Sequence, residues 1–151
     1  MKVKDIMTVP VVTVKAEQTL EEAAQLMLDK HVGGIPVVDD EGKVIGMVTE
    51  SDYSAKEHAI PFSRIYAPQL FGEWMSEEGI EKAYEAARNI TVDKIMTAPV
   101  ITISPEDTLA EAVRKMLERR IHRVVVAEDG VPVGIVSRHD LLKLVVSHIE
   151  A

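Results

Sequence analysis

Apolar residues recur along the chain in a helical pattern that occurs twice. They fall at i, i+3, i+4, i+7 and i+8 between Leu20 and Leu28, and again between Leu109 and Leu117. This spacing places one apolar stripe on an α-helix. The two stripes are Leu20, Ala23, Ala24, Met27 and Leu28, and Leu109, Ala112, Val113, Met116 and Leu117. We therefore predict two amphipathic helices, one in each half of the chain.

Each of these helices is expected to begin at a capping box. Thr19 precedes Glu22 by three residues, and Thr108 precedes Glu111 in the same way. In a capping box the hydroxyl accepts a hydrogen bond from the amide three residues on, and the acidic side chain reaches back to the first amide. Both free amides are then satisfied.

Two β-rich runs follow each helix and predict a hairpin. Ile35 to Val38 and Val44 to Val48 are separated by a turn sequence containing aspartates and a glycine. Val124 to Ala127 and Val133 to Val136 flank Asp129-Gly130 in the second half. Turn residues between short β-branched runs are typical of hairpins.

A final helix is predicted in each half of the chain. It begins at about Ser51 in the first half and at about His139 in the second, where apolar residues continue through Val146. Each half therefore reads as strand, helix, strand, strand, helix. This order predicts an α+β fold.

The two halves are copies of one sequence unit. Ile6-Met7-Thr8 aligns with Ile95-Met96-Thr97 at an offset of 89 residues (97 minus 8), and the offset becomes 88 after one deletion near Glu41. One such unit cannot cover both faces of so small a sheet, so we expect the copies to pack about a pseudo-twofold axis. The predicted division is a first repeat at 1–53, an inserted linker at 54–89 and a second repeat at 90–151.

The insert matches neither repeat and is rich in aromatic residues. All six aromatics of the chain fall in or beside it: Tyr53, Phe62, Tyr66, Phe71, Trp74 and Tyr84. They can pack the insert onto the repeats, or they can form a contact with a dimer mate or another partner, since aromatics are enriched at interfaces. The stretch from Ile80 to Arg88 is predicted to be helical.

Composition narrows the classes of partner. The chain has 25 acidic and 17 basic residues, and its formal net charge of -8 opposes nucleic-acid phosphates. It has no cysteine, which excludes disulfides and thiolate zinc sites. No apolar run approaches the about 20 residues that span a bilayer, and the N-terminus lacks the apolar region of a signal peptide. We therefore expect a cytoplasmic protein with neither a nucleic-acid nor a membrane partner.

Each hairpin leads into the same short motif, which is Gly, two apolar residues, Thr or Ser, and Asp three residues later. It spans Gly46 to Asp52 and Gly134 to Asp140. In the first copy, Thr49 and Asp52 lie where the free amides and dipole of a helix start favour anions. Thr49 can therefore contact a phosphate, and Asp52 can accept hydrogen bonds from ribose hydroxyls. The alternative is simple N-capping, for which these residue types are ordinary.

In these duplicated motifs the chain resembles a tandem pair of CBS domains, the repeat named after cystathionine beta-synthase. The resemblance covers both repeats and implies a Bateman module, as in stand-alone CBS-domain proteins, which usually forms a homodimer shaped as a flat disc. It also implies clefts between the repeats that bind AMP, ADP or ATP, with an S-adenosyl compound or NAD as alternatives. The implied role is regulatory, such as energy sensing.

The resemblance further implies that the aspartate of one repeat faces the phosphate-binding positions of the other. For Asp52, these positions are His122, Arg123, Arg138 and His139. For Asp140, they are Gly33, Gly34, Glu50 and Ser51. The first cleft is therefore expected to be cationic and to bind phosphate, whereas the second offers no positive charge.

We predict one principal site and one weaker site. The principal site joins Thr49 and Asp52 to His122, Arg123 and His139, with Arg138 as a weaker candidate and the adenine near Ile101 and Pro36. The weaker site consists of Val12, Gly33, Gly34, Ser137 and Asp140. It is expected to take a nucleoside without charged phosphate, such as an S-adenosyl compound, or to stay empty. The alternative for Arg123 is a solvated strand end, and for His122 a surface position.

No P-loop, dinucleotide fingerprint, zinc-protease motif or nucleophile elbow occurs in the sequence. The five histidines have no metal-ligand spacing. We therefore expect no catalytic residue, no cofactor and no metal, and a module that transmits nucleotide occupancy to a dimer mate or a target protein. A structural dimerisation module with vestigial sites is the alternative, and an enzyme acting on a nucleotide is the third hypothesis.

Overall fold

The computed structural model describes residues 1–53 and 77–146. The chain divides into two compact units. The first unit consists of Thr13–Val38 and Ile45–Ala98, and the second consists of Met1–Val12, Asp39–Val44 and Pro99–Ala151. The boundaries of these compact units differ from those predicted for the repeats and the linker, at 1–53, 54–89 and 90–151. The predicted division describes the duplication in the sequence and remains a prediction.

Each repeat forms a three-stranded mixed sheet and a helix, as the sequence predicts. Strand β1 lies parallel to β2, β4 lies parallel to β5, and β5 lies antiparallel to β6. The elements are β1 (Val14–Lys15), α1 (Leu20–Lys30), β2 (Gly34–Val38), β3 (Val44–Thr49), α2 (Glu77–Ala87), β4 (Thr102–Ile103), α3 (Leu109–Arg119), β5 (Arg123–Glu128) and β6 (Val131–Ser137). Short 3-10 helices lie at Val3–Asp5, Glu50–Tyr53, Val92–Lys94 and Asp140–Leu144.

The second hairpin confirms its predicted turn. Asp129 and Gly130 form a two-residue loop between β5 and β6, and both have positive φ, 51° and 82°. This is the geometry of the tight turn that matches the twist of paired strands. Gly130, at the second position, adopts this positive φ without strain because glycine has no Cβ.

The helix starts confirm half of each predicted capping box. The hydroxyl of Thr19 accepts from the Glu22 N–H over 3.1 Å, and that of Thr108 accepts from the Glu111 N–H over 3.2 Å. The two glutamate side chains bind nearby side-chain donors instead of the backbone amide at the start of the helix. Glu22 accepts from the side chains of Gln18 and Thr19, and Glu111 pairs with Arg114.

Only part of each apolar stripe is buried. Leu20, Ala23 and Met27 are buried, but Leu28 at the end of the stripe is 71% exposed. Leu117, its equivalent in α3, is 73% exposed. Because a helix turns 100° per residue, positions i, i+3 and i+7 face the sheet while i+8 rotates away from it.

The predicted final helix of the second repeat is also shorter than expected. Residues Asp140–Leu144 form a 3-10 helix, and the chain then turns at Val145. The side chain of Asp140 is bonded back to Ser137, and adjacent valines have low helix propensity, so an α-helix is not sustained here. In the first repeat, Glu50–Tyr53 is likewise a 3-10 helix, and residues 54–76 lie outside the described part of the chain.

The segment that precedes each repeat packs on the other repeat. Thr8 pairs with Ile135 of β6, and Thr97 pairs with Met47 of β3. These pairs are equivalent under the internal duplication, as are the bridges of Lys2 with Thr108 and of Thr91 with Thr19. Each compact unit therefore combines the sheet of one repeat with the leading segment of its copy.

The core of the second unit contains both of these parts. Val3 and Ile6 of the leading segment are buried in one cluster with Ala112 and Met116 of α3. Strand residues complete the cluster: Ile103, Val124, Val126 and Val136. Burial of such aliphatic side chains contributes roughly 1.5–3 kcal/mol each, so the leading segment is an integral part of the unit.

The insert contributes a helix to the first unit. Helix α2 begins at Glu77 and ends at Ala87, which confirms the predicted helix with an earlier start. The hydroxyl of Tyr84 donates to the carbonyl of Tyr53, and that of Tyr53 donates to the carbonyl of Leu20 over 2.8 Å. Tyr84 thus packs the insert onto its unit. Phe62, Tyr66, Phe71 and Trp74 lie outside the described residues.

Candidate ligand-binding site

The first motif holds its aspartate at the end of β3. The Thr49 N–H donates to Asp52 Oδ2 over 2.8 Å, and the hydroxyl oxygens of Thr49 and Ser51 are 2.8 Å apart. Asp52 is half-buried. Burial, followed by the nearby charge of Asp52, raises the pKa of Tyr53. The carboxylate therefore has a fixed position and remains partly accessible. Its bond to the Thr49 N–H is a backbone capping bond, the kind of role that the sequence leaves open as an alternative to ligand binding.

The second motif holds its aspartate in a different state. Asp140 is only 2% exposed. Its Oδ2 accepts from the Ser137 N–H over 2.8 Å and from the Ser137 hydroxyl over 3.2 Å. Its Oδ1 accepts from the Thr8 hydroxyl over 2.8 Å and from Lys143 Nζ over 2.9 Å. Both carboxylate oxygens are therefore bonded within the second unit.

These bonds decide the ionisation of Asp140. Burial acts to raise the pKa of this carboxyl, because it disfavours the charged form. The hydrogen bonds from Lys143, Ser137 and Thr8 act in the opposite direction and outweigh burial, so the pKa lies below its usual value. Asp140 is thus a buried, neutralised carboxylate.

The glycine of each motif makes room for a methionine of a leading segment. A Cβ on Gly134 would lie 2.7 Å from Met7 Sδ and 3.2 Å from the Thr8 carbonyl oxygen. A Cβ on Gly46 would overlap Met96, whose Cγ would be 2.9 Å away. In the sequence, these glycines and methionines mark the duplication. The structure shows that they are packing partners.

The four basic candidates meet at one end of the β5–β6 hairpin. Arg123 begins β5 and lies opposite Ser137, the last residue of β6. The Arg138 N–H donates to the His122 carbonyl over 2.9 Å, and His139 follows directly. We call the set His122, Arg123, Arg138 and His139 the cationic end. His122, Arg138 and His139 are exposed, so this end presents basic side chains to solvent.

The equivalent end in the first unit has the same backbone hydrogen bond but no basic side chain. The Glu50 N–H donates to the Gly33 carbonyl over 2.9 Å, as Arg138 does to His122. Gly33, Gly34, Glu50 and Ser51 occupy the positions of the cationic end. The two ends therefore share a backbone hydrogen bond and differ in their side chains, and the predicted difference in phosphate affinity remains a proposal.

The remaining candidates are distributed over both units. Pro36 is buried in β2, the strand next to β3 in the first unit. Ile101 packs against the core of the second unit, and Val12 is half-buried in its leading segment. Each unit thus carries part of both predicted sites, and their combination into complete sites is a proposal.

Residues 1–53 and 77–146 contain no group of three or more acidic or histidine side chains that could hold a metal ion. Within the same residues, no helix is both long enough and apolar enough to cross a bilayer.

Comparison with known families agrees with the duplicated fold. The family model described as the CBS domain matches residues 3–55 and 92–147. The chain belongs to the CBS domain family. Both matches include the leading segment and the Gly-to-Asp motif of their repeat, so this CBS pair is tandem, as predicted.

A curated relative is the uncharacterized protein MJ1404 of Methanocaldococcus jannaschii. The two are 35% identical over 144 residues, which cover 95% of this chain and 32% of MJ1404. The chain spans between about a quarter and just under three fifths of the length of the first curated relatives it matches.

Solved CBS structures have the same fold. A CBS domain of a membrane protein from Sphaerobacter thermophilus is 41% identical with a TM-score of 0.72, covering 95% of this chain and 86% of that one. The CBS pair of MJ0100, solved with 5-methylthioadenosine and S-adenosyl-L-methionine, is 25% identical with a TM-score of 0.69, covering 96% and 95%. CBSX2, solved with AMP, shares the fold at 24% identity and a TM-score of 0.68, covering 95% of each chain.

Proposed function

We propose that this CBS pair is a non-catalytic regulatory module that binds an adenine nucleotide between its two repeats. The observation that carries the proposal is the cationic end, which places four basic side chains where the equivalent end has none. In a chain of net charge -8, a phosphate needs such a local concentration of cations. The cytoplasmic location expected from the sequence stays a prediction.

In the proposed principal site, each residue has a role set by its chemistry. The carboxylate of Asp52 accepts hydrogen bonds from the ribose hydroxyls, and Thr49 contacts the phosphate. Hydrogen bonds to charged groups contribute about 1.5–3 kcal/mol each. His122, Arg123 and His139 contact the phosphate, with Arg138 as a weaker contributor. The adenine lies in an apolar cleft near Ile101 and Pro36.

The relatives support the ligand class. MJ0100 was solved with two adenosine compounds, and CBSX2 was solved with AMP. We infer that this chain prefers AMP, ADP or ATP to S-adenosyl compounds or NAD at its principal site, because the cationic end suits terminal phosphates. A ligand that contacts both repeats favours one arrangement of them, and a dimer mate or target protein then responds to that population.

Thermal melts of the full chain with AMP, ADP, ATP, NAD and S-adenosylmethionine test the proposal. At 100 times its dissociation constant, a ligand adds about 2.7 kcal/mol to stability, which raises Tm by roughly 5–10 °C for a chain of this size. Asp52→Ala and Arg123→Ala should abolish the shift. Asp29→Ala and Arg119→Ala remove the same charges from exposed helix positions and should leave it unchanged.

The same experiment separates the alternative functions. A vestigial module gives no shift with any adenine compound, and this result would reject the proposed function. An enzyme would convert ATP, so product analysis after incubation decides that reading. Equal shifts in Asp52→Ala and wild type would mean that the ribose is held elsewhere.

We also propose that the CBS pair forms a homodimer through its exposed helix faces. Leu28 and Leu117 occupy equivalent positions on α1 and α3 and are both largely exposed. Next to Leu117, the side chains of Leu109, Val113 and Leu144 line an open apolar groove. Exposed apolar surface of this kind marks association sites. A duplicated apolar face also suits an interface that uses the same surface on both subunits.

A further inference from the structure

The carboxylate of Asp140 has no capacity left for a ribose. A carboxylate offers about four lone-pair sites. At Asp140 four donors fill them: the Ser137 N–H, the hydroxyls of Ser137 and Thr8, and the ammonium of Lys143, at 2.8–3.2 Å. The carboxylate is also almost fully buried, so a ligand hydroxyl has to displace one of these donors.

Lys143 is the donor that distinguishes the second repeat from the first. The Ser137 donors have their counterpart in Thr49, and Thr8 has its counterpart in Thr97. Lys143 aligns at the offset of 88 with Ala55, which has no donor. The first repeat therefore has no ammonium group at the position from which Lys143 pairs with Asp140 Oδ1.

The position of Lys143 is fixed by a second bond. Its ammonium donates to the Ile6 carbonyl over 3.0 Å and to Asp140 Oδ1 over 2.9 Å. Thr8, on the same leading segment, holds Oδ1 from its other side. Displacing Lys143 would thus leave a backbone carbonyl without its donor, in addition to breaking the ion pair.

We propose that Lys143 is a specificity-determining residue that limits each chain to one bound adenine compound. By occupying the Asp140 carboxylate it closes the ribose position of the second motif, so binding is confined to the site at Asp52. The inference rests on the proposed function and deepens it. The weaker site predicted at Val12, Gly33, Gly34, Ser137 and Asp140 is, in this view, empty in the wild-type protein.

Isothermal titration of the full chain with AMP, and separately with adenosine, tests the proposal. The wild type is expected to bind one equivalent of AMP, lost in Asp52→Ala. Lys143→Met keeps the apolar stem and removes the ammonium, and it should gain a second equivalent of adenosine. That gain should disappear in Lys143→Met combined with Asp140→Ala. Lys143→Arg keeps the charge and should remain at one equivalent.

The outcomes distinguish this inference from the proposed function. A wild type that binds two equivalents, one of them lost in Asp140→Ala, overturns the inference and leaves the principal site intact. So does a folded Lys143→Met protein that binds AMP once and gains nothing. If the wild type binds no adenine compound while Lys143→Met binds adenosine through Asp140, the inference stands and the principal site fails. If neither protein binds, both proposals are rejected.

Discussion

Asp52 and Asp140 occupy the same place in their two motifs, but their surroundings give them different chemistry. Each accepts a hydrogen bond from the backbone N–H three residues earlier, at 2.8 Å. Asp140 pairs with Lys143 three residues later, where the first motif has Ala55, and Asp140 is buried whereas Asp52 is partly accessible. The local motif therefore fixes where the carboxylate lies. Its neighbours decide whether it stabilises the fold or is accessible to a ligand.

The buried carboxylate of Asp140 predicts a pH-dependent loss of stability. Because the folded pKa is below its unfolded value of about 3.9, ionised Asp140 stabilises the fold above that pH. This contribution is lost as pH falls through the folded pKa. Asp140→Asn should cost about 1–3 kcal/mol at pH 7, since it leaves buried donors unpaired. Urea unfolding from pH 7 to pH 3 should show the wild type and the variant converging below about pH 4.

Lys143→Met provides the control for this pH dependence. It removes the strongest of the favourable bonds to Asp140, so the folded pKa should rise and the stabilisation of the charged form should shrink. A wild type and an Asp140→Asn protein that differ by the same amount at every pH would contradict the prediction. In that case the cost of the substitution would come from packing alone.

At the scale of elements, local sequence predicts most of what forms. The stripes place α1 and α3, the threonine caps start them, and Asp129-Gly130 closes the hairpin. The orientation of residues at the stripe edge is less predictable. Leu28 fits the helical period as well as Met27 does, and only the position of the sheet decides which of them is buried.

The packing of Gly134 on Met7 predicts an energetic coupling between β6 and the leading segment. A Cβ at residue 134 requires Met7 Sδ to move, so Gly134→Ala should destabilise the second unit by about 1–3 kcal/mol. Met7→Ala opens the space, and the double variant should therefore be more stable than the sum of the single changes predicts. Denaturant unfolding of the four proteins measures this coupling.

The equivalent methionine supplies the control. Met96 packs on Gly46, so Gly134→Ala and Met96→Ala should be additive within about 0.5 kcal/mol. Coupling of Gly134 to Met96 but not to Met7 would mean that each leading segment packs on its own repeat. That result would contradict the exchanged arrangement of the two units.

At the scale of the whole molecule, the exchange of leading segments could not be predicted from the sequence. Both segments carry Ile-Met-Thr, and both sheets offer a glycine in the same motif, so each segment complements either repeat. The physical preference comes from chain connectivity and from the complete set of contacts, which a duplicated sequence does not distinguish. In contrast, the difference in charge between the ends of the two hairpins could be predicted from the sequence, because it depends only on which residues occupy equivalent positions of the two repeats.

The proposed homodimer gives the prediction at this scale. A leucine that becomes fully buried contributes about 1.5–3 kcal/mol, whereas a charge placed in the same interface is strongly unfavourable. Leu28→Glu and Leu117→Glu should therefore each weaken dimerisation by about 100-fold or more, because every 1.4 kcal/mol changes affinity tenfold. Sedimentation equilibrium over a range of concentrations measures the change.

Gln25→Glu adds the same charge at another exposed position of α1 and should not affect association. A wild-type chain that stays monomeric at the highest concentrations would reject the interface, while nucleotide binding by that monomer would show that the ligand site is independent of it.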